Sequence, residues 1–292
     1  MLSLELIEHS RLKRQEGLSY KSIARELKIS PASVMKYSKD IELSKDQKQK
    51  LLMNEHLNRK KFASVFSQEK DITIPELNQN LASVLGHLFF DGSVSPQNSR
   101  YTIKYTNASL GLIKKFNKNV SDLFGLEVSY MQKNEGINCA WYEIYFYSKK
   151  LCEFLSTFSS SYSTSDNIGI PPQILSSNDS VKSSFLQAFW DDEGCIDAGG
   201  RLSGSSVSEK MIDDLVFLHR EFGITCKKYP SKRKRLFEIK INSNYSNFSL
   251  FNEKVGFTLS KVIRGKNIGK SKRSLLHAKL EKYRKRLKPD TR

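Results

Sequence analysis

Several things are scarce in this chain. No stretch of its 292 residues approaches the roughly 18 apolar residues of a membrane-spanning helix. The first residues, Met1-Leu-Ser-Leu-Glu-Leu-Ile-Glu8, carry acids where a secretory signal needs basic residues. An intracellular, nucleoid-associated protein with no membrane partner is therefore expected. Cysteine is sparse: Cys139, Cys152, Cys195 and Cys226 stand far apart and form no CxxC pair. That excludes a zinc cluster or a disulfide framework and leaves buried free thiols as the expectation. Met1 and the final Thr291-Arg292 lack the nucleophile and terminal Asn that protein splicing requires, so a free-standing protein is expected. Acids are the most telling shortage: 31 Asp and Glu face 48 Lys and Arg, a net charge of +17 with pI near 9.6. Such a field favours a polyanion, with nucleic acid the default partner. The rival, an acidic membrane surface, finds no lipidation signal in the chain.

What is present begins with two similar stretches about 100 residues apart. Val84-Leu-Gly-His-Leu-Phe-Phe-Asp-Gly92 and Leu186-Gln-Ala-Phe-Trp-Asp-Asp-Glu-Gly194 are apolar helical runs. Each contains a small residue, Gly86 or Ala188, and ends in a carboxylate followed by glycine. An acid in the last turn faces the negative end of the helix dipole and is disfavoured by several tenths of a kcal/mol. The same misplacement in both runs implies a positive charge between the ends, most simply a divalent metal. The alternative is a pair of helix C-caps, with Gly92 and Gly194 left-handed and the acids solvated. His87 and Trp190 lie within these runs and are expected to be packing residues.

The remainder of the chain repeats around these motifs. Residues 79–275 read as two copies of an αββαββα unit, a pseudo-dimer of α+β class. The paired landmarks Asp91 and Glu193, Phe124-Gly125 and Phe222-Gly223, and Tyr142-Glu-Ile and Phe237-Glu-Ile are offset by 102, 98 and 95 residues. The predicted boundaries are 79–165 for the first repeat and 166–275 for the second. Before them lie a small helical module (1–55) and a charged linker (56–78), with Pro75 marking the boundary. In the module, Ser19 caps a helix whose buried face is Ile23, Ala24 and Leu27, and Ser30-Pro31 opens the next. This pattern resembles the helix-turn-helix of resolvases and many regulators. The resemblance implies base-edge contacts from Ser30, Ser33, Lys36 and Tyr37 in the second helix. Lys28 departs from it, because glycine often fills that turn. From Lys261 to Arg292 there are 13 Lys or Arg against 2 acids, a net +11. The stretch 276–292 is read as a basic C-terminal tail, either a nucleic-acid arm or a solvated tail.

The paired motifs resemble those of the LAGLIDADG homing endonucleases, in the form that carries both motifs in one chain. The resemblance spans about two thirds of the sequence. It implies a tandem pseudo-two-fold LAGLIDADG fold in which the motif helices pack side by side at Gly86 and Ala188, with two β-sheets lying in the DNA major groove. It implies a monomer acting on double-stranded DNA, with no obligatory protein partner. It further implies that Asp91 and Glu193 hold Mg²⁺, with Mn²⁺ able to substitute, for phosphodiester hydrolysis giving staggered ends. Glu193 stands where the family usually has Asp. Asp191 and Asp192 are extra acids expected to lie outside the metal site. The family places basic groups near the attacking water. Lys104, Lys261 and Lys270 are the candidates, Lys270 being assigned the catalytic role and each equally able to contact phosphate. Strand side chains Tyr101, Ile103, Lys104, Tyr105, Arg201, Glu238 and Lys240 are expected to read DNA, although strand alternation turns about half of such positions inward. The other functional class is a catalytically silent transcription regulator on the same scaffold, as in the WhiA family. That family places its helix-turn-helix after the scaffold and lacks the acids.

Overall fold

The computed structural model describes residues 3–54, 71–95, 101–128, 130–135, 140–231, 235–263 and 265–287. It contains two compact units, Met1–Gln68 and Glu69–Arg292. The first is helical: α1 (Leu4–Gln15), α2 (Tyr20–Leu27), α3 (Pro31–Ser38) and a helical stretch, α4, over 45–54. Ser19 and Ser30 cap α2 and α3, accepting hydrogen bonds from the Ser22 and Ser33 amides, and Pro31 takes the first helical position. Ile23, Ala24 and Val34 form a small core, with Leu27 and Ile29 against it. The turn between α2 and α3 is made by Lys28 at φ 54°, a left-handed conformation that glycine adopts without strain. The rest of the charged linker, 55–70, lies outside the described residues, as does Cys139.

The second unit repeats seven elements. The first set is α5 (Gln79–Phe90), β1 (Gly92–Ser95), β2 (Thr102–Asn107), α6 (Leu110–Phe124), β3 (Tyr130–Glu135), β4 (Ala140–Tyr147) and α7 (Lys149–Ser156). After the short α8 (Pro172–Leu175) come α9 (Asp179–Asp192), β5 (Cys195–Ile196), β6 (Leu202–Ser206), α10 (Glu209–Glu221), β7 (Cys226–Pro230), β8 (Phe237–Ile241) and α11 (Tyr245–Lys254). The sheets share one topology, β1-β2-β4-β3 and β5-β6-β8-β7, all antiparallel. This is the tandem αββαββα fold that the landmarks implied. Even the helix ends match, since Gly125 and Gly223 are both left-handed, at φ 66° and 72°.

Helices α5 and α9 pack against each other at the centre of one continuous core. Every residue of α5 from Leu81 to Phe89 is buried, which explains its apolar character on all sides. The helices approach closely because Gly86 has no side chain. A Cβ built there would lie 2.6 Å from the Ala188 Cβ and 3.1 Å from the Phe185 carbonyl oxygen. The basic stretch expected as a tail from residue 276 is, through Leu287, part of α12 (Lys272–Leu287). Leu276 and Leu280 bury its inner face, and the Tyr283 hydroxyl donates to the Ser243 carbonyl at 2.9 Å. Cys152 and Cys226 are buried as expected. Cys195 is exposed, because it opens β5 on the outward side of the pleat.

Candidate metal and nucleic-acid site

Asp91 and Glu193 cap the C-termini of α5 and α9, their amides donating to the His87 carbonyl at 3.2 Å and the Phe189 carbonyl at 2.8 Å. The glycines that follow are not left-handed. They are needed because the chain turns straight back into a strand against its own helix. A Cβ on Gly92 would sit 2.6 Å from the Leu88 Cα, and one on Gly194 2.4 Å from the Trp190 carbonyl oxygen. The ordinary C-cap with solvated acids is thereby excluded, since both acids are half-buried.

Burial, then the neighbouring charge of Asp192, pushes the Asp91 carboxyl up to about 7. Burial, then the Asp91 and Asp192 charges, pushes Glu193 up to about 8. Asp91 accepts one hydrogen bond, from Asn107 Nδ2 at 3.1 Å, and among the described residues no donor reaches Glu193. Two close, half-buried carboxylates so poorly supplied with donors fit a hard cation. Mg²⁺ is commonly held by one or two carboxylates, with water and phosphate oxygens completing the shell. Among the described residues no cluster of three or more His, Cys, Asp or Glu could hold a metal by itself.

Asp191 and Asp192, expected as extra acids outside the metal site, are both engaged in hydrogen bonds to protein groups, Asp192 among them in a network that reaches Asp91. The Asp192 side chain is fully buried and shares a hydrogen bond with His87 Nδ1 at 2.8 Å. It also accepts from the Tyr105 hydroxyl at 2.8 Å and from Asn107 Nδ2 at 3.0 Å, so Asn107 joins it to Asp91. Burial drives Asp192 well above the carboxylate range and lowers His87 to about 4. Asp191, also buried, accepts from the Thr258 amide at 2.9 Å, the Thr258 hydroxyl at 2.5 Å and the Ser260 hydroxyl at 2.6 Å. Lys272 was missed by the sequence reading. Buried at the end of α9, it donates from Nζ to the Trp190 carbonyl at 3.2 Å and the Asp191 carbonyl at 2.7 Å. A cation there answers the negative helix end. His87 is therefore part of a polar network, whereas Trp190 is packing, with its indole N–H donating to His219 Nε2 at 2.8 Å.

Among the described residues the network exists in one half only. Matched strand register pairs Tyr105 with Gly204 and Asn107 with Ser206 across the pseudo-two-fold. The motif alignment pairs His87 with Phe189 and Phe90 with Asp192. In the second half Phe189 fills the space over Gly204, where a Cβ would lie 2.5 Å from the ring. Phe90 packs on Phe189 with centroids 5.0 Å apart. Thus Asp192–His87–Tyr105 on one side answers Phe90–Phe189–Gly204 on the other.

The remaining candidate residues are spread over the surface. Lys104 and Lys240 lie on the solvent faces of the two sheets, paired with Glu143 at 2.7 Å and Glu238 at 2.8 Å. Ile103 is fully buried, as is Tyr105, so β2 turns these positions toward the helices and leaves Thr102, Lys104 and Thr106 outward. Ile103 and Tyr105 are thus removed from the groove-facing set. Tyr101 lies just before β2 with Lys149 Nζ 5.8 Å from its ring centre, and Arg201 is exposed before β6, paired with Asp197 at 2.7 Å. Lys261 and Lys270 are both exposed. Lys270 Nζ contacts Asn267 Oδ1 at 3.2 Å, and Lys272 is the lysine seated at the acidic helix ends. In the first unit Ser30 and Lys36 are exposed and Ser33 and Tyr37 half-exposed.

Residues 180–256, nearly the whole second repeat, match the family model of a LAGLIDADG-like domain. Over those residues the chain is similar to that family. Their pseudo-two-fold mate, residues 79–156, has the same elements in the same order. The LAGLIDADG fold is shared with full-length DUF199/WhiA from Thermatoga maritima, at 14% identity and a TM-score of 0.50 over 75% of this chain and 64% of that one. The homing endonuclease I-DmoI in complex with DNA and Mn aligns at 17% identity and a TM-score of 0.46, over 62% of this chain and 97% of that one. Among curated sequences, the DNA-directed RNA polymerase subunit Rpo1C of Methanocaldococcus jannaschii is 25% identical over 187 residues, 64% of this chain. A DNA polymerase of Thermococcus aggregans is 26% identical over 160 residues, 52% of this chain. The aligned regions span about 20% and 8% of those proteins' lengths. Among the described residues no helix is long and apolar enough to cross a membrane.

Proposed function

We propose that this chain is a site-specific, divalent-metal-dependent DNA endonuclease of the homing type, acting as a monomer on double-stranded DNA. The observation that carries this reading is the pair of half-buried carboxylates, Asp91 and Glu193, at the apposed ends of α5 and α9. They lie on the unfavourable side of two helix dipoles, a placement a protein tolerates where the charge is used. They are the residues that would hold Mg²⁺ or Mn²⁺. Bound there, the ion would supply Lewis-acid stabilisation of phosphate charge and an acidified water. Asn107 fixes the orientation of the Asp91 carboxylate through a 3.1 Å hydrogen bond. Lys272 offsets the negative end of α9 behind Glu193. Lys104, Lys240, Tyr101 and Arg201 present cations and a ring to the duplex. Their present ion pairs are solvent-exposed, worth about 0–1 kcal/mol, and readily exchanged for phosphate. Lys261 and Lys270 lie in the loop after the second repeat, where phosphate contact suits them better than proton transfer. The first unit acts as a helix-turn-helix, with Ser30, Ser33, Lys36 and Tyr37 on the reading helix.

The test is incubation of the purified chain with a randomised duplex library in Mg²⁺ or Mn²⁺. Cutting is expected, and Asp91→Asn should abolish it while leaving binding intact. DNA binding without cutting under either metal would overturn the nuclease reading. The second reading, a DNA-binding regulator, would then take its place. It is favoured by the fold shared with WhiA.

A further inference from the structure

The loop between α11 and α12 is a built hairpin. Val262 and Lys270 pair through the Val262 amide to the Lys270 carbonyl at 2.9 Å, and the Gly269 amide returns to the Val262 carbonyl at 2.7 Å. The Lys272 amide closes on the Ser260 carbonyl at 3.1 Å. Gly265 and Gly269, at φ 82° and 81°, make the turns that a side chain would strain. The base of the hairpin is locked to the end of α9. Buried Asp191 takes both hydroxyls, Thr258 and Ser260, from one side, and buried Lys272 holds the last α9 carbonyls from the other. A carboxylate and an ammonium are thus both spent on fixing this loop next to Glu193.

The hairpin's charge is one-sided. No Asp or Glu occurs from Lys254 to Leu280, while eight Lys or Arg do. Lys261, Lys266 and Lys270 are exposed, and none makes an ion pair among the described residues. Two large apolar side chains, Ile263 and Ile268, stand beside them 45% and 47% exposed. Cations held together without counter-charges are costly unless a polyanion receives them.

We infer that the hairpin 260–272 is a third DNA-contact element, distinct from the two sheets. Its three lysines seat on backbone phosphates beside the Glu193 carboxylate, and Ile263 and Ile268 pack on deoxyribose. The inference rests on the DNA-binding part of the proposed function and not on cleavage. Fluorescence anisotropy with a mixed-sequence DNA duplex, in EDTA and across a salt series, tests it on the full chain. Each phosphate contact contributes about 0.9 to the slope of log affinity against log salt. The K261Q/K266Q/K270Q variant should lower the slope by roughly 2–3 and weaken binding at least about tenfold. The control triple Lys114→Gln, Lys118→Gln and Lys210→Gln, on exposed positions of α6 and α10, should leave the slope near wild type. I263S/I268S should weaken binding several-fold with the slope unchanged. An unchanged slope in the hairpin variant, or an equal fall in the control, overturns the proposal. Unchanged affinity in the isoleucine variant overturns the deoxyribose contact. Loss of cleavage in a chain that still shows these effects would refute the nuclease reading and leave the hairpin standing.

Discussion

Metal-free protein should lose stability as pH rises from 6.5 to 8, and Mg²⁺ should restore it at the upper end only. Asp91 and Glu193 have folded-state pKa values raised to about 7 and 8 from ordinary values of 3.8 and 4.5. A raised acid holds its proton in the folded state where the unfolded chain has released it. Its stabilising contribution is complete below the unfolded value and is lost as pH climbs through the folded one. His87 and His219, lowered to about 4 by burial, work in the opposite sense between about 4 and 6.5, so the two pairs largely offset each other there. Above 6.5 the acids act without that opposition, at about 1.4 kcal/mol per pH unit per group as an upper bound. Both keep partial contact with solvent, and screening reduces the sum to roughly 1–2 kcal/mol. That is a fall in Tm of about 2–8 °C for a domain of this size. Trp141 and Trp190 both lie in the second unit, so tryptophan fluorescence during thermal melts reports that unit alone. The D91N/E193Q variant should be flatter across this window and should gain nothing from Mg²⁺. A wild-type profile parallel to that of the variant, with or without metal, would refute the electrostatic reading of the site.

Helix propensity alone would make Gly86→Ala stabilising by about 0.5–1 kcal/mol. The close approach of α9 should instead make it destabilising by roughly 1–3 kcal/mol, seen as a lower Tm by the same fluorescence, and a higher Tm would contradict the packing argument. Lys28→Gly relieves left-handed strain of about 1–2 kcal/mol against a glycine entropy cost of about 0.5–1, so amide exchange in α2 and α3 should slow severalfold. Exchange that is unchanged or faster would mean that Lys28 is not strained. Asn107→Ala leaves buried Asp192 short of a donor and should cost about 1–3 kcal/mol in thermal melts. Its pseudo-symmetric counterpart Ser206→Ala should cost less, and equal losses would argue against a one-sided network.

The fold was legible because its signals were doubled. A single Phe-Gly or one acid before glycine says little, whereas two of each at declining offsets fix a tandem repeat, and both sheets follow. Asp91 and Glu193 were legible for the same reason: their position is unfavourable in each helix separately. Asp192 was not. In sequence it is one of three consecutive acids, and only the helix rotation distinguishes the buried 192 from the capping 193. Ile103 illustrates strand parity, where a shift of one residue decides between groove and core. Lys272 lay hidden in a run of basic residues whose bulk property is exposure, and no local pattern marks the one whose ammonium turns inward.

The asymmetry between the halves follows from the same geometry and could not be read from either half alone. Two identical repeats would place like polar groups against each other at the two-fold, where an uncompensated buried carboxylate costs several kcal/mol. Here the cost is confined to one side. Asp192 from the second repeat is received by His87, Tyr105 and Asn107 of the first, and the mirrored positions are aromatic and glycine. Asn107 of the first repeat donates both to Asp91 of its own repeat and to Asp192 of the other, so the two helix ends share one frame. The Asp91 end is tied by Asn107 into a fixed network, while no donor reaches Glu193 among the described residues. Two carboxylates in such different settings are not interchangeable: an Asp91→Glu exchange must disturb a hydrogen-bonded frame, whereas Glu193→Asp changes only reach.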